Sequence, residues 1–168
     1  MVRGFTLMEL LITLGITLTM LMTAVPAYSA LSDYFKMTQL ARSLESFLHQ
    51  ARAEAVYRNQ DLWAHVEVSQ RPDVSGEWQI WLSDSDESGK GAVLLRFSGQ
   101  RYHGIAFESQ FSSEQIKFDG VRGKIKNGSI YLYPKQHRER ALRIGTSFGA
   151  SRIKLCGLEG EQYGYPAC

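Results

Sequence analysis

One carboxylate stands where a carboxylate is costly. The chain opens Met1-Val2-Arg3-Gly4 and then runs from Phe5 to Ala30 with a single charged side chain, Glu9. An ionised group inside an apolar helix costs several kcal/mol unless it is paired, so such a group is functional by default. Its natural chemistry is ion pairing with a cation brought from elsewhere. The next candidates are cationic. Between Val121 and Lys154 nine Lys and Arg (including Lys135, Arg138, Arg140, Arg143, Arg152 and Lys154) face one acidic residue, Glu139. Between Leu31 and Gly120 the balance is 9 to 13 in favour of acid. The net charge of +2 hides this asymmetry, which suits an anionic partner.

Other constellations are weaker. Asp84, Asp86 and Glu87, with Gly89, supply oxygen ligands of the kind a hard cation takes. The spacing of a calcium loop is missing, and a solvated turn is the better reading. His49, His65, His103 and His137 are scattered without zinc-ligand spacing. No nucleophile elbow, phosphate-binding glycine loop or metalloprotease motif is present, so the chain is expected to be no enzyme and to hold no cofactor or metal. Trp63, Trp78, Trp81, Tyr131 and Tyr133 could stack bases, but at strand spacing they read as core and sheet surface.

The elements that carry these residues follow from periodicity. Residues 5–30 are long enough to cross a bilayer, since about 20 apolar residues span the hydrocarbon core. Leu31, Tyr34, Phe35, Leu40, Leu44, Phe47, Leu48, Ala51, Ala55 and Val56 then recur at helical spacing, with polar residues between them. One helix from about Phe5 to Tyr57 is expected, apolar all round in 5–30 and amphipathic in 31–60. Pro26 should bend it by removing a backbone donor. Residues 61–168 read as short strands: Leu62–Val68, Glu77–Ser83, Ala92–Phe97, Gly104–Glu108, Gln115–Phe118, Gly123–Lys126, Ser129–Tyr133, Ala141–Thr146 and Ser151–Cys156. Asn127-Gly128 is the strongest hairpin signal among the turns. The fold class is α+β, a long N-terminal helix packed on an antiparallel β-sheet domain.

The string Gly4-Phe5-Thr6-Leu7-Met8-Glu9-Leu10-Leu11-Ile12-Thr13-Leu14 closely resembles the class III signal of type IV pilins and type II secretion pseudopilins. The segment 48–60, ending Ala55-Val56-Tyr57-Arg58-Asn59-Gln60, resembles the helix end of the GspH/FimT branch of that family. Ile116-Lys117-Phe118-Asp119-Gly120 and a terminal strand ending in cysteine resemble it too. The resemblance implies removal of residues 1–4 by a prepilin peptidase that also methylates the new N-terminus, Phe5. It implies a pilin-like fold and an inner-membrane anchor with a periplasmic C-terminal domain. Partners would be major and minor pilin subunits, met through the N-terminal helices. Glu9 would pair with the Phe5 ammonium of a neighbouring subunit. In an oxidising periplasm Cys156 and Cys168 would form a disulfide.

Two functions from the same branch are implied. One is a minor pilin near the tip of a type IV pilus, coupling tip subunits to the shaft of a filament used for adhesion, twitching or DNA uptake. The other is a GspH-like minor pseudopilin of a type II secretion system. A third, DNA capture for transformation, is implied by FimT-like members that use a basic C-terminal region and a Gly-Arg-x-Arg strand. Here that string is Gly149-Ala150-Ser151-Arg152-Ile153-Lys154, which lacks the immediate Gly-Arg, so DNA is expected to bind weakly if at all.

Overall fold

The computed structural model describes residues 6–168, leaving aside the side chains at 23–27, 29 and 30. The cleavage and methylation positions Gly4 and Phe5 lie outside the described residues, as does the side chain of Pro26, on which the expected bend depends. The chain divides into two compact units, residues 1–35 and 36–168. Helix α1, Leu7–Arg58, contributes to both and is assigned without a break through Pro26.

In the second unit α1 buries one stripe: Met37, Leu40, Ala41, Leu44, Leu48, Ala51 and Ala55. The 3- and 4-residue steps place them on one face. The helix ends on Asn59, whose φ of 51° is left-handed. Asn59 N–H donates to Val56 O (3.1 Å) and Gln60 N–H to Ala55 O (3.2 Å). This pair of bonds satisfies carbonyls that any helix end leaves open.

Eight strands follow: β1 (Leu62–Val68), β2 (Trp78–Ser83), β3 (Val93–Ser98), β4 (Ile105–Gln110), β5 (Gln115–Phe118), β6 (Gly128–Pro134), β7 (Leu142–Ser147) and β8 (Arg152–Gly157). They form two antiparallel sheets, β3-β2-β1-β5 and β4-β6-β7-β8. A single core joins the helix stripe to the inner faces of both, from Leu62, Ile80 and Ile116 to Phe107, Leu132 and Ile144. Trp78 stacks on Phe107 at 4.0 Å between centroids and on Phe97 at 5.8 Å. Asp73 ties the sheets together at the β1–β2 connection. Its backbone exchanges two hydrogen bonds with Phe107, and its Oδ1 accepts from Ser75 and Gly76.

The expected strand at 123–126 and the hairpin at Asn127-Gly128 are not formed. Residues 119–127 carry the chain from β5 in one sheet to β6 in the other. They contribute only an isolated bridge, Phe118 to Ile125. Gly128 starts β6, paired with Thr146 of β7, and Phe111 packs so closely that a Cβ at 128 would strike its ring. Asn127 accepts a hydrogen bond from Phe148 N–H at 2.6 Å instead of turning a hairpin. The dipeptide has turn chemistry, but which strands meet was decided by packing far away in sequence.

The corner after the helix closes on that crossover. Asp61 Oδ1 accepts from Gly120 N–H (3.0 Å) and Oδ2 pairs with Lys117 Nζ (2.6 Å). The bond from Lys117, then that from Gly120, holds the Asp61 carboxyl below the usual carboxylate range. A Cβ on Gly120 would collide with the Gln60 backbone. We expect Gly120→Ala to destabilise the 36–168 unit by about 2 kcal/mol or more. Asp61 is depressed on folding, so its contribution is complete above the ordinary carboxylate pKa and is lost as pH falls through the lowered value. Asp61→Asn, which keeps the acceptor for Gly120, should cost at most about 1 kcal/mol at neutral pH. It should also reduce the acid dependence of stability in urea unfolding.

Candidate functional site

The first unit carries the lone carboxylate. Thr6 caps α1: Glu9 N–H reaches Thr6 Oγ1 at 3.3 Å and Leu10 N–H reaches Thr6 O at 3.2 Å. Thr6 is thus an N-cap residue that the sequence reading missed. From Leu7 to Met22 the large apolar side chains are 51–80 % exposed, on every side of the helix. The hydroxyls among them turn inward. Thr13, Thr17 and Thr19 donate to the carbonyls of Leu10, Leu14 and Ile16 at 3.0, 2.9 and 2.8 Å. That leaves a surface with almost no unsatisfied polar group except the Glu9 carboxylate. Among the described residues no helix is long and apolar enough to cross a membrane. The span read from the sequence, 5–30, includes Phe5 and the side chains at 23–27, 29 and 30, outside the described set.

The basic residues separate into two groups along the outer face of the second sheet. Lys135, Arg138 and Arg140 are exposed in the β6–β7 connection, around a 3-10 turn at Arg138–Arg140. Arg138 lies 3.6 Å from Glu108 and over the Tyr133 ring at 5.4 Å. Burial, then the nearby Glu108 charge, raises the Tyr133 phenol above its ordinary pKa. A hydrogen bond to its own backbone, then one from His137, lowers Glu139. Arg143, Arg152 and Lys154 line a separate hollow of about 190 Å³ with Cys156 and Cys168. The register explains this, because Arg143 pairs with Cys156, Gly145 with Lys154 and Ser147 with Arg152. Arg143 donates to Ser129 Oγ (2.9 Å) and Lys154 to the Cys168 main-chain oxygen (3.1 Å). Cys156 and Cys168 are disulfide-bonded, Cα to Cα 5.0 Å.

A third basic group was not picked out from the sequence. Lys117, Lys124 and Lys126 share a groove of about 570 Å³ with Trp63 and Phe148. Lys124 sits over Phe148 at 4.6 Å and Lys117 over Trp63 at 5.6 Å. Its members come from β1, β5, the crossover and the β7–β8 turn, so no local pattern marks it. Of the aromatic set, Trp78 and Tyr133 are buried and Trp81 stacks on His65 at 5.7 Å. In the acidic turn Asp84 Oδ1 accepts from Ala92 N–H (2.7 Å) and Glu87 pairs with Lys90. No group of three metal-ligating side chains converges among the described residues.

Helix, two sheets and disulfide-closed end are those of a pilin-like domain. Residues 40–150, well over half of the chain, match the family model of type II transport protein GspH. The chain belongs to the GspH family. No curated protein matches it in sequence. It is similar in fold to the type IV minor pilin FimU of Pseudomonas aeruginosa. That likeness has a TM-score of 0.56 at 19 % identity, over 71 % of this chain and 87 % of the other. It is also similar to the minor pseudopilin EpsH from the type 2 secretion system of Vibrio cholerae. There the TM-score is 0.53 at 11 % identity, over 73 % and 97 %.

The split of the basic residues bears on DNA. Several phosphates neutralised together would give affinity that falls about tenfold or more between low and physiological salt. We expect weak or no retention of the 31–168 region on duplex DNA. Where retention is seen at low salt, replacing Arg138, Arg140 and Arg143 with Gln should reduce its salt slope. Tight, salt-resistant binding would contradict this.

Proposed function

We propose that the chain is a minor pilin of a type IV pilus. Residues 5–30 anchor it in the inner membrane with the C-terminal region in the periplasm. It then enters the filament near the tip, coupling tip subunits to the shaft. Its role is assembly rather than catalysis. The observation that carries this reading is the surface of Leu7–Met22: exposed apolar side chains all round, hydroxyls folded back on the backbone, and one carboxylate. A helix with that surface needs an apolar surrounding, first lipid and then the helices of other subunits. Glu9, four residues past Phe5, fits the ammonium of a neighbouring mature N-terminus. GspH-family membership and the likeness to FimU support the filament; the disulfide-closed C-terminal loop favours the pilus.

The second reading, a minor pseudopilin of a type II secretion system, is favoured by the likeness to EpsH and shares every feature of the first unit. Both readings make Glu9 an assembly residue. Glu9→Val should insert in the membrane at least as well as the native chain. Its abundance in sheared surface filaments, or in pseudopili, should fall by about tenfold or more, because the incoming ammonium is left without a partner. Undiminished incorporation counts against the pairing. Which filament holds the native chain separates pilus from secretion system.

A further inference from the structure

Four strands form the margins of the two sheets: β3 and β5 in one, β4 and β8 in the other. Three are bridged at one position each among the described residues, β5 at Phe118, β4 at Phe107 and β8 at its last residue, Gly157. Residues 124–126 lie along β5, with Lys126 N–H donating to Lys117 O (3.0 Å) and Asp119 N–H to Lys124 O (2.8 Å). Asp73 exchanges bonds of 3.0 and 2.7 Å with Phe107 on β4. At the end of β8, Gly157 N–H donates to Pro166 O (2.9 Å) and Cys168 N–H to Gly157 O (3.0 Å), held in place by the disulfide.

β3 has no such bridge among the described residues. It pairs with β2 alone, and no backbone hydrogen bond leaves Val93–Ser98 for any other described residue. Its free side can be identified. Gly99 N–H donates to Trp78 O at 2.9 Å, so by antiparallel alternation Phe97 and Leu95 bond toward β2. The N–H and C=O groups of Arg96 and Ser98 then face outward. The register shift in this pair lies at Leu82/Ser83, leaving Leu95–Ser98 regular. Open edges in soluble proteins are usually blunted by lysine, proline or a bulge; β3 carries one charge and an irregularity at Leu94, outside the regular stretch Leu95–Ser98.

Beside this edge a groove of about 360 Å³ separates β3 from α1. Its floor is apolar, Phe47 and Phe97 meeting at 6.0 Å between centroids, with Leu95 beside them. Arg42, Ser43, Ser46 and Gln50 make up the rest of its α1 side. Arg96 pairs in register with Trp81, also borders that groove and is exposed. Its guanidinium makes no ion pair among the described residues.

We propose that β3 is a docking edge for an extended segment of another filament subunit, which adds as a fifth strand. Main-chain bonds to Arg96 and Ser98 would give it affinity. Alternate side chains would give it specificity: apolar ones entering the Phe47–Phe97 groove, a carboxylate opposite Arg96. The charge requirement follows from the unpaired guanidinium and the alternation from the pleat. This inference rests on the filament reading.

The test uses full-length chain expressed in its own cells, with three variants scored in sheared filaments. Arg96→Pro removes an outward N–H and leaves the β2 ladder intact, at an edge position where proline is tolerated. Its abundance in filaments should fall by about tenfold or more, with melting of the purified protein unchanged. Arg96→Gln should reduce it less, and Arg96→Glu as much as proline. Should Arg96→Pro fail to fold, amide exchange of the native chain decides. Exchange at Arg96 and Ser98 should be fast in the isolated subunit and slow in the filament. Native chain present in filaments, with folded Arg96→Pro equally abundant or with both amides still fast, overturns the docking edge alone. Native chain absent from every filament overturns the filament reading and this inference with it.

Discussion

Burial of one helix stripe organises the whole 36–168 unit. Met37, Leu40, Leu44 and Leu48 are fully buried, and each such side chain stabilises by about 1.5–3 kcal/mol relative to exposure. Two four-stranded sheets have inner faces that neither can cover alone, and this stripe together with the Trp78–Phe107 stack covers both. The termination of α1 matters for the same reason. The left-handed Asn59 turns the chain, and Asp61 locks that turn onto Gly120 and Lys117, fixing where β1 starts and hence which residues face the core.

The first unit follows a different rule within the same continuous helix. From Leu7 to Met22 there is no polar face to distinguish from an apolar one, and the threonines satisfy themselves on the backbone. The helix therefore prefers surroundings that cannot hydrogen-bond. Glu9 is the one group in this stretch that asks for a charged partner. On the proposed reading, such a subunit would be stored in lipid and released into a bundle of similar helices, where the carboxylate would set the register. Pilus and secretion filaments share that logic, so the surfaces of the second unit must set neighbours apart. The open edge of β3 is the surface proposed for that role.

Much of this was legible in the sequence. Helical spacing marked the stripe from Leu40 to Ala55, and alternation placed all eight strands within a residue or two. The resemblances at Arg58-Asn59-Gln60 and Phe118-Asp119-Gly120 were visible, though not that the two strings touch. The bond from Gly120 to Asp61, the residue after the first string, spans 59 positions, and no local pattern encodes it. The same limit explains the strand expected at 123–126, where turn chemistry at Asn127-Gly128 was outvoted by the passage between sheets. It also explains why a basic run read as one patch divides in two, and why Lys117, Lys124 and Lys126 went unnoticed as neighbours. The N-cap at Thr6 was readable and was eclipsed by the charge argument.

The central claim is that the chain works as a processed filament subunit whose helix begins beside Glu9. The intact mass of the protein extracted from membranes or filaments tests it most directly. The account predicts a mature chain that starts at Phe5 and is heavier by one methyl group at that residue. A chain beginning at Ala30 would contradict it, because the apolar helix and its carboxylate would have been discarded.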